Sequence, residues 1–199
     1  MARTAANRGR EVRRALLAAA VELIPEVGWN AVSTRLLAER AHAAPGLVHY
    51  HFQSLPALLR KAAVDAMRET LSAAEPVLAM TTTVDAGLDL MLASLDAYSG
   101  TDPASLLFIE TYLAATRDEA LRAELAGLLA DFRDALAGWL AEHGHDDPQQ
   151  TAAVLAAAID GVMLHRALNP DLTSHVVSPV LRRILAPGKP VARKNRREH

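Results

Sequence analysis

The chain has 199 residues, of which 51% are hydrophobic, and its formal net charge is −2. This length allows one medium domain, or a small domain that shares a surface with a larger one. The absence of cysteine excludes disulfide bonds and thiolate metal sites. We find no signal peptide, and the longest apolar stretch, about 151–164, is too short to span a bilayer, so we expect a cytoplasmic protein.

The charge is distributed unevenly along the chain. Residues 1–60 contain eight arginines and four acidic residues, whereas residues 61–186 contain eight basic and eighteen acidic residues. Residues 187–199 contain five basic residues and one acidic residue. A basic start on an acidic body favours contact between the first sixty residues and a polyanion, although a solvated surface with basic tails explains the same numbers.

Apolar residues at three- and four-residue spacing predict helices from residue 10 onward. Pro25 should distort the last turn of the first helix, and Gly28 suits the position after its end. Ser33 is placed to cap a short second helix, Pro45 suits the first turn of a third, and Ser54 caps a fourth. The predicted ranges are about 10–27, 34–41, 45–51 and 55–74, and we expect residues 1–9 to form a flexible basic arm.

The rest of the chain predicts longer helices, separated by breaks at Gly100, Asp102-Pro103, Asp147-Pro148 and Asn169-Pro170. The helix that follows Pro103 is apolar nearly all round, which indicates a buried, central position. Pro179 interrupts the pattern of the last helix, which begins near residue 174 or only at Ser178. We expect residues 187–199 to be a disordered basic tail.

The stretch from residue 28 to residue 59 carries the functional signal. A short helix, a tight turn and a second short helix with basic and aromatic residues follow a longer helix, which is the layout of a helix-turn-helix module. The segments AAAVELIPEVGW, STRLLAERA and PGLVHYHF, followed by a serine and the pair LL, resemble the N-terminal signature of the TetR (tetracycline-repressor) family over about residues 10–60.

The resemblance implies an all-α fold with two parts. The first is an N-terminal three-helix helix-turn-helix DNA-binding domain at 10–60, whose fourth helix links onward to about residue 75. The second is a C-terminal helical bundle at 76–186 for ligand binding and dimerisation. Four positions depart from the family pattern, because His42 replaces a turn glycine, Ala44 a capping serine, His49 a tyrosine and Leu55 a lysine.

The family's recognition helix enters the major groove and is held by phosphate contacts at its flanks. By resemblance, residues 45–50 face DNA, and the start of the second helix binds phosphate. Val48 and Phe52 are interpreted as core residues, His51 either packs or binds phosphate, and the N-terminal arginines are solvated or reach DNA. The candidate DNA-binding residues are Ser33, Thr34, Arg35, Pro45, Gly46, Leu47, His49, Tyr50 and His51.

The resemblance also implies an effector cavity within residues 84–168 and a dimer interface made by two helices, about 148–168 and 174–186. Plain core packing is the alternative for each residue. The candidate ligand-binding residues are Met91, Leu95, Phe108, Glu110, Tyr112, Leu136, Trp139, Asp160, Met163 and Arg166, with His165 as a further polar anchor. The candidate interface residues are Ala152, Ala153, Ala156, Ala157, Val180 and Ile184.

These features predict a homodimeric repressor that binds a palindromic operator and is released by a largely apolar small molecule. The alternative is an all-α small-molecule-binding protein or enzyme that does not bind DNA. We find no catalytic motif, no Gly-rich phosphate loop and no histidine spacing typical of a metal site, so we expect no enzyme activity, cofactor or metal.

Overall fold

A computed structural model of the protein describes residues 2–185, and this part of the chain is built from helices without any β-strand. The all-α prediction is thus confirmed for the described residues, and the tail at 187–199 lies outside them. A short 3-10 helix, Trp29–Ala31, follows the first α-helix. The α-helices are α1 (Ala2–Val27), α2 (Thr34–Arg40), α3 (Gly46–His51), α4 (Leu55–Ser72), α5 (Ala74–Ala79), α6 (Val84–Leu95), α7 (Pro103–Ala115), α8 (Glu119–Glu142), α9 (Pro148–Arg166) and α10 (Ser174–Leu185).

Helix α1 begins at Ala2, whereas the apolar pattern predicted a start near residue 10 and an irregular arm before it. Alanine and arginine are among the strongest helix formers, so the first residues extend the helix without an apolar stripe of their own. The helix ends at Val27 as predicted. Gly28 follows in the left-handed region, with φ of 84°, and its N–H donates to the carbonyl of Ile24 at 3.0 Å.

Helices α1, α2 and α3 enclose one hydrophobic core together with the first half of α4. Leu16, Leu37, Val48 and Leu58 are fully buried there. Leu107 of α7 packs into the same core. The small N-terminal domain therefore shares apolar surface with a helix of the larger domain.

Helix α4 crosses from one domain to the other without a break. Leu58 and Leu59 belong to the N-terminal core, whereas Val64 and Met67 pack with Phe108 of α7 and with α8. Helix α4, with 18 residues, therefore packs in both cores, and a change in its tilt would shift contacts in both.

The C-terminal domain has its own core between α6, α8, α9 and α10. Leu88 and Leu92 of α6 and Leu136 and Leu140 of α8 are almost fully buried in it. This core positions α9 and α10 at the outside of the domain, with one face of each packed inward.

Helix α10 begins at Ser174, so the alternative start at Ser178 is wrong. Asp96 explains the earlier start, because its carboxylate accepts hydrogen bonds from the Ser174 N–H, at 2.9 Å, and from the Ser174 hydroxyl. This contact satisfies a main-chain donor at the helix N-terminus, which sequence periodicity does not reveal. The hydrogen bond from the Ser174 hydroxyl, and then that from the Ser174 N–H, lower the pKa of Asp96 below its usual value.

Gly87 of α6 makes room for the indole of Trp139 on α8. A Cβ at position 87 would lie 2.3 Å from Cζ2 of that indole. Gly87→Ala should therefore destabilise the protein by about 1–3 kcal/mol, the usual cost of overpacking a core. Denaturant unfolding of the purified variant measures this.

Gly127→Ala is the matched control, because Gly127 lies inside α8 and an added Cβ there meets nothing within 4 Å. Alanine favours a helix over glycine, so this variant should gain up to about 1 kcal/mol. Equal effects at the two positions would contradict the contact between α6 and the indole.

Candidate DNA interface and effector cavity

Helix α3 has one buried and one exposed face. Val48 is fully buried and Phe52, just after the helix, is 8% exposed, so the interpretation of both as core residues is confirmed. The guanidinium of Arg13 on α1 lies 5.0 Å from the centre of the Phe52 ring. These contacts hold α3 against α1 and fix which side chains point outward.

The outward face of α3 carries the candidate base-reading residues. Pro45, Gly46 and His49 are exposed, and Tyr50 is 79% exposed. Leu47 and His51 are half-buried. The His51 ring lies edge-on to Tyr50, with ring centres 4.9 Å apart, and its Cε1 atom lies near Gly9 of α1. His51 thus packs and still presents one edge to solvent.

The start of α2 presents the candidate phosphate-binding residues. The Ser33 hydroxyl oxygen accepts the N–H of Leu36 at 3.3 Å, so Ser33 is the predicted helix cap, and its own O–H is left to donate. Thr34 is half-buried and Arg35 is exposed. Within the described residues Arg35 makes no ion pair, whereas Arg40 at the other end of α2 pairs with Glu22 and Glu26 of α1.

The turn between α2 and α3 contains a strained residue. His42 has φ of 50°, the left-handed conformation that glycine adopts without steric cost. The turn therefore keeps the backbone geometry of a glycine although the side chain is histidine. Helix α3 starts without a side-chain cap, because neither Ala44 nor Pro45 has a side-chain oxygen that could accept an amide hydrogen bond.

His42→Gly should raise the free energy of unfolding by roughly 0.5–1 kcal/mol, because relief of left-handed strain exceeds the extra entropy that glycine loses on folding. Thermal or denaturant unfolding checks this. His42→Ala retains the Cβ and should give no such gain, and a comparable gain in both variants would refute the strain at this residue.

A cavity of about 410 Å³ opens between α7 and α9. Its wall is almost entirely apolar, and four of the ten candidate ligand-binding residues lie in it: Phe108, Tyr112, Asp160 and Met163. The Tyr112 hydroxyl donates to Oδ2 of Asp160 at 2.7 Å, which joins the two helices across the cavity. The remaining lining residues, which sequence reasoning did not select, are Ile109, Leu113, Thr116, Gly161 and Leu164.

The Tyr112–Asp160 pair lies in a poorly hydrated environment. Burial raises the pKa of Asp160 above its usual value, and the hydrogen bond from Tyr112 opposes this shift only in part. Burial, and then the adjacent Asp160 charge, raise the pKa of Tyr112 well above its usual range. Both shifts show that the cavity disfavours an uncompensated negative charge.

Asp160→Asn should make the protein more stable than wild type at about pH 7. Because the native pKa of Asp160 is raised, the folded state binds a proton more readily than the unfolded chain, and stability falls as pH rises from 3.8 through the native pKa. Asparagine stays neutral and can still accept from Tyr112. Thermal unfolding of both proteins across this pH range should show that the difference between their Tm values narrows toward about pH 4. A difference in Tm that does not change with pH would contradict the raised pKa of Asp160.

Four other candidate ligand-binding residues do not line this cavity. Met91, Leu136 and Trp139 are buried in the core between α6, α8 and α9, and Leu95 packs against that core. Leu136 also borders a smaller hollow, of about 160 Å³, between α4, α5 and α8. Helical periodicity identifies an inward face but not the partner that the face meets, which is why these residues and the cavity residues look alike in the sequence.

Glu110 on α7 forms a hydrogen bond with the DNA-binding domain. Its Oε2 accepts the main-chain N–H of Trp29 at 2.8 Å, immediately after the turn at Gly28. The partner of this carboxylate is therefore a backbone amide of the other domain, and not a ligand in the cavity.

Arg166 is likewise used within the protein and is 5% exposed. Its guanidinium donates to the carbonyls of Leu95, Tyr98 and Leu172, and it pairs with Asp96 at 3.0 Å. It joins the ends of α6 and α9 to the segment before α10. His165, beside it, is exposed and does not line the cavity.

The candidate interface residues divide by exposure. Ala152 is fully buried inside its own subunit, so its assignment to an interface is corrected: it packs in the α6–α8–α9–α10 core. Ala153 and Ala157 are exposed, Ala156 is half-buried and Val180 is 46% exposed. The side chain of Ile184 lies outside the described residues.

A short-helix pair with one exposed face, joined by a continuous helix to a larger helical domain with an apolar cavity, is the architecture of a helix-turn-helix transcription regulator. The family model for bacterial regulatory proteins of the tetR family matches residues 16–62, and the model for the tetracyclin repressor-like C-terminal domain matches residues 82–187. The protein belongs to the TetR family of DNA-binding transcription regulators.

Individual relatives are similar over nearly the whole chain. An uncharacterized HTH-type transcriptional regulator of Mycobacterium tuberculosis is 25% identical over 196 residues, which cover 94% of this chain and 100% of the relative. The structure of SCO7518 from Streptomyces coelicolor A3(2) is 29% identical, covers 88% of this chain and 99% of its own, and superposes with a TM-score of 0.74. The multidrug binding protein EbrR, in complex with imidazole, is 28% identical, with coverage of 90% and 97% and a TM-score of 0.65.

Residues 2–185 contain neither a membrane-spanning helix nor a metal-binding cluster. No helix there has the length and apolar character that crossing a membrane requires, and no group of three or more His, Cys, Asp or Glu side chains is arranged to hold a metal ion.

Proposed function

We propose that the protein is a homodimeric repressor that binds a palindromic operator and releases it when a small molecule enters the cavity between α7 and α9. The observation that carries this proposal is the position of α7, which contacts the DNA-binding domain on one side and lines the cavity on the other. Such a regulator works on the bacterial chromosome, so the proposal places it in the cytoplasm.

The DNA-binding part of the proposal is supported by exposure and charge. Tyr50 and His49 on α3 and Arg35 on α2 project into solvent from elements whose opposite faces are buried. Tyrosine is enriched at interfaces, because its ring provides contact area and its hydroxyl can form a hydrogen bond. The arginine excess in residues 1–60 supplies the positive charge that a phosphate backbone attracts.

The dimer part is supported by an apolar surface on α9 and α10. Half of the exposed large apolar residues of the described chain lie on these two helices or in the segment between them: Val154, Leu164, Leu168, Val176 and Val180. Ala153 and Ala157 lie among them and allow close approach of a second helix. Two copies that pair through these helices present two recognition helices to one duplex.

The coupling between effector and DNA is carried by α7. Leu107 is buried in the DNA-binding core and Glu110 holds the main chain of Trp29, whereas Phe108 and Tyr112 face the cavity. A ligand that moves α7 therefore moves the DNA-binding domain. Release requires that the ligand bind the displaced state more tightly than the DNA-binding state.

Arg35→Ala combined with Tyr50→Ala should weaken operator binding about 100-fold or more, because one phosphate or base contact is lost from each helix of both subunits. The measurement is a gel shift on the duplex upstream of the protein's own gene, with a scrambled duplex of equal length as competitor. Wild-type affinity should fall steeply as salt rises from about 50 to 200 mM.

Arg122→Ala is the matched control, because Arg122 is an exposed arginine on α8 in the acidic part of the chain. It should bind like wild type, and sedimentation should show a dimer for all three proteins. Wild-type operator affinity in the double variant would refute the assignment of Arg35 and Tyr50 to the DNA interface. A wild-type monomer, or equal affinity for the scrambled duplex, would favour the alternative of a small-molecule-binding protein or enzyme that does not read DNA.

A further inference from the structure

The polar groups of the α7–α9 cavity are few and can be accounted for one by one. Three of the nine lining residues have a polar side chain, namely Tyr112, Thr116 and Asp160. The Thr116 hydroxyl donates to the carbonyl of Leu113 at 2.7 Å, and the Tyr112 hydroxyl donates to Oδ2 of Asp160 at 2.7 Å. Each hydroxyl has only one hydrogen to donate, so both are used inside the protein.

What the cavity still offers is hydrogen-bond acceptors. Among the described residues, neither Oδ1 of Asp160 nor the hydroxyl oxygen of Tyr112 accepts a hydrogen bond. An ionised carboxylate and a phenol oxygen that has already donated can only accept. A ligand that fits this site therefore brings its own N–H or O–H donors.

The charge of Asp160 is also unbalanced within the cavity. No Lys, Arg or His nitrogen of the described chain forms an ion pair with it, whereas Asp89, Asp96 and Asp118 each have an arginine partner. Arg166, the buried cation of the same helix, is committed to carbonyl oxygens and Asp96. Arg133, exposed on α8, acts on Tyr112 only at longer range. A carboxylate in an apolar wall is costly unless a cation joins it.

We propose that the effector is an apolar organic cation with a protonated amine, which places its ammonium group on Oδ1 of Asp160 and its hydrocarbon part among Phe108, Ile109, Met163 and Leu164. This inference rests on the proposed function, in which the cavity is the effector site, and adds the chemical class that the site selects. Anionic ligands such as carboxylates and phosphates are rejected, because they would meet Asp160 without a compensating donor. A neutral alcohol donates one hydrogen bond but leaves the charge of Asp160 uncompensated.

Three probes with one carbon skeleton test the class: phenylbutylamine, phenylbutanol and phenylbutyrate, titrated into the full chain by calorimetry. The amine should bind at least about tenfold more tightly than the alcohol, since hydrogen bonds between charged groups contribute more than neutral ones, and the carboxylate should bind weakest. In Asp160→Asn the preference for the amine over the alcohol should disappear. The ranking in the wild type tests the class even if the variant does not fold.

Asp131→Asn is the matched control, because Asp131 borders the separate hollow between α4, α5 and α8. This variant should leave the order of the three probe affinities unchanged. The proposal is overturned if the three probes bind equally, if the carboxylate binds best, if none binds, or if Asp160→Asn retains the preference. A gel shift on the same preparations separates this result from the function. Intact operator binding with no preference for the amine refutes the ligand class alone, whereas loss of specific DNA binding refutes the regulator model.

Discussion

The hydrogen bond from the Trp29 main chain to Glu110 is the contact on which the relation between the two domains depends. It is made by a half-buried carboxylate that also has apolar support, because Leu107, one turn earlier on α7, is buried in the N-terminal core. A carboxylate that accepts a backbone amide is a strong, directional contact, and it stands next to Gly28, whose positive φ sets the path of the chain there. Together with the continuous helix α4, it makes two connections between domains, so the smaller domain cannot rotate freely about one hinge.

Much of the fold follows from sequence patterns. Most of the helices, the caps at Ser33 and Ser54, the break at Gly28 and the burial of Val48 and Phe52 were predicted from residues close in sequence, whereas the short helix α5 was not. The start of α10 was left open because it is set by Asp96, 78 residues away. The start of α1 was predicted too late, because the prediction relied on apolar residues at helical spacing, and the Ala- and Arg-rich first turns of the helix have none.

The residues that line the cavity could be predicted only in part for the same reason. Of the candidate ligand-binding residues, Phe108, Tyr112, Asp160 and Met163 line the cavity, whereas Met91, Leu136 and Trp139 lie in the core. Glu110 and Arg166 were selected as candidate ligand-binding residues. Glu110 instead accepts a main-chain amide, and Arg166 binds main-chain carbonyls and Asp96; sequence periodicity does not reveal such contacts between distant segments. Whether the four cavity residues bind an effector, and whether the α3 surface reads bases, remain predictions.

Arg166 has a further consequence for assembly. Arg166, at the end of α9, binds the end of α6 and the segment that leads into α10, so this one side chain connects the two outer helices within a single subunit. The apolar surface on those helices is therefore complete before any second copy arrives. Two such subunits would associate through preformed surfaces, and little conformational entropy would be lost on association. Their association rate would then be set by diffusion and mutual orientation.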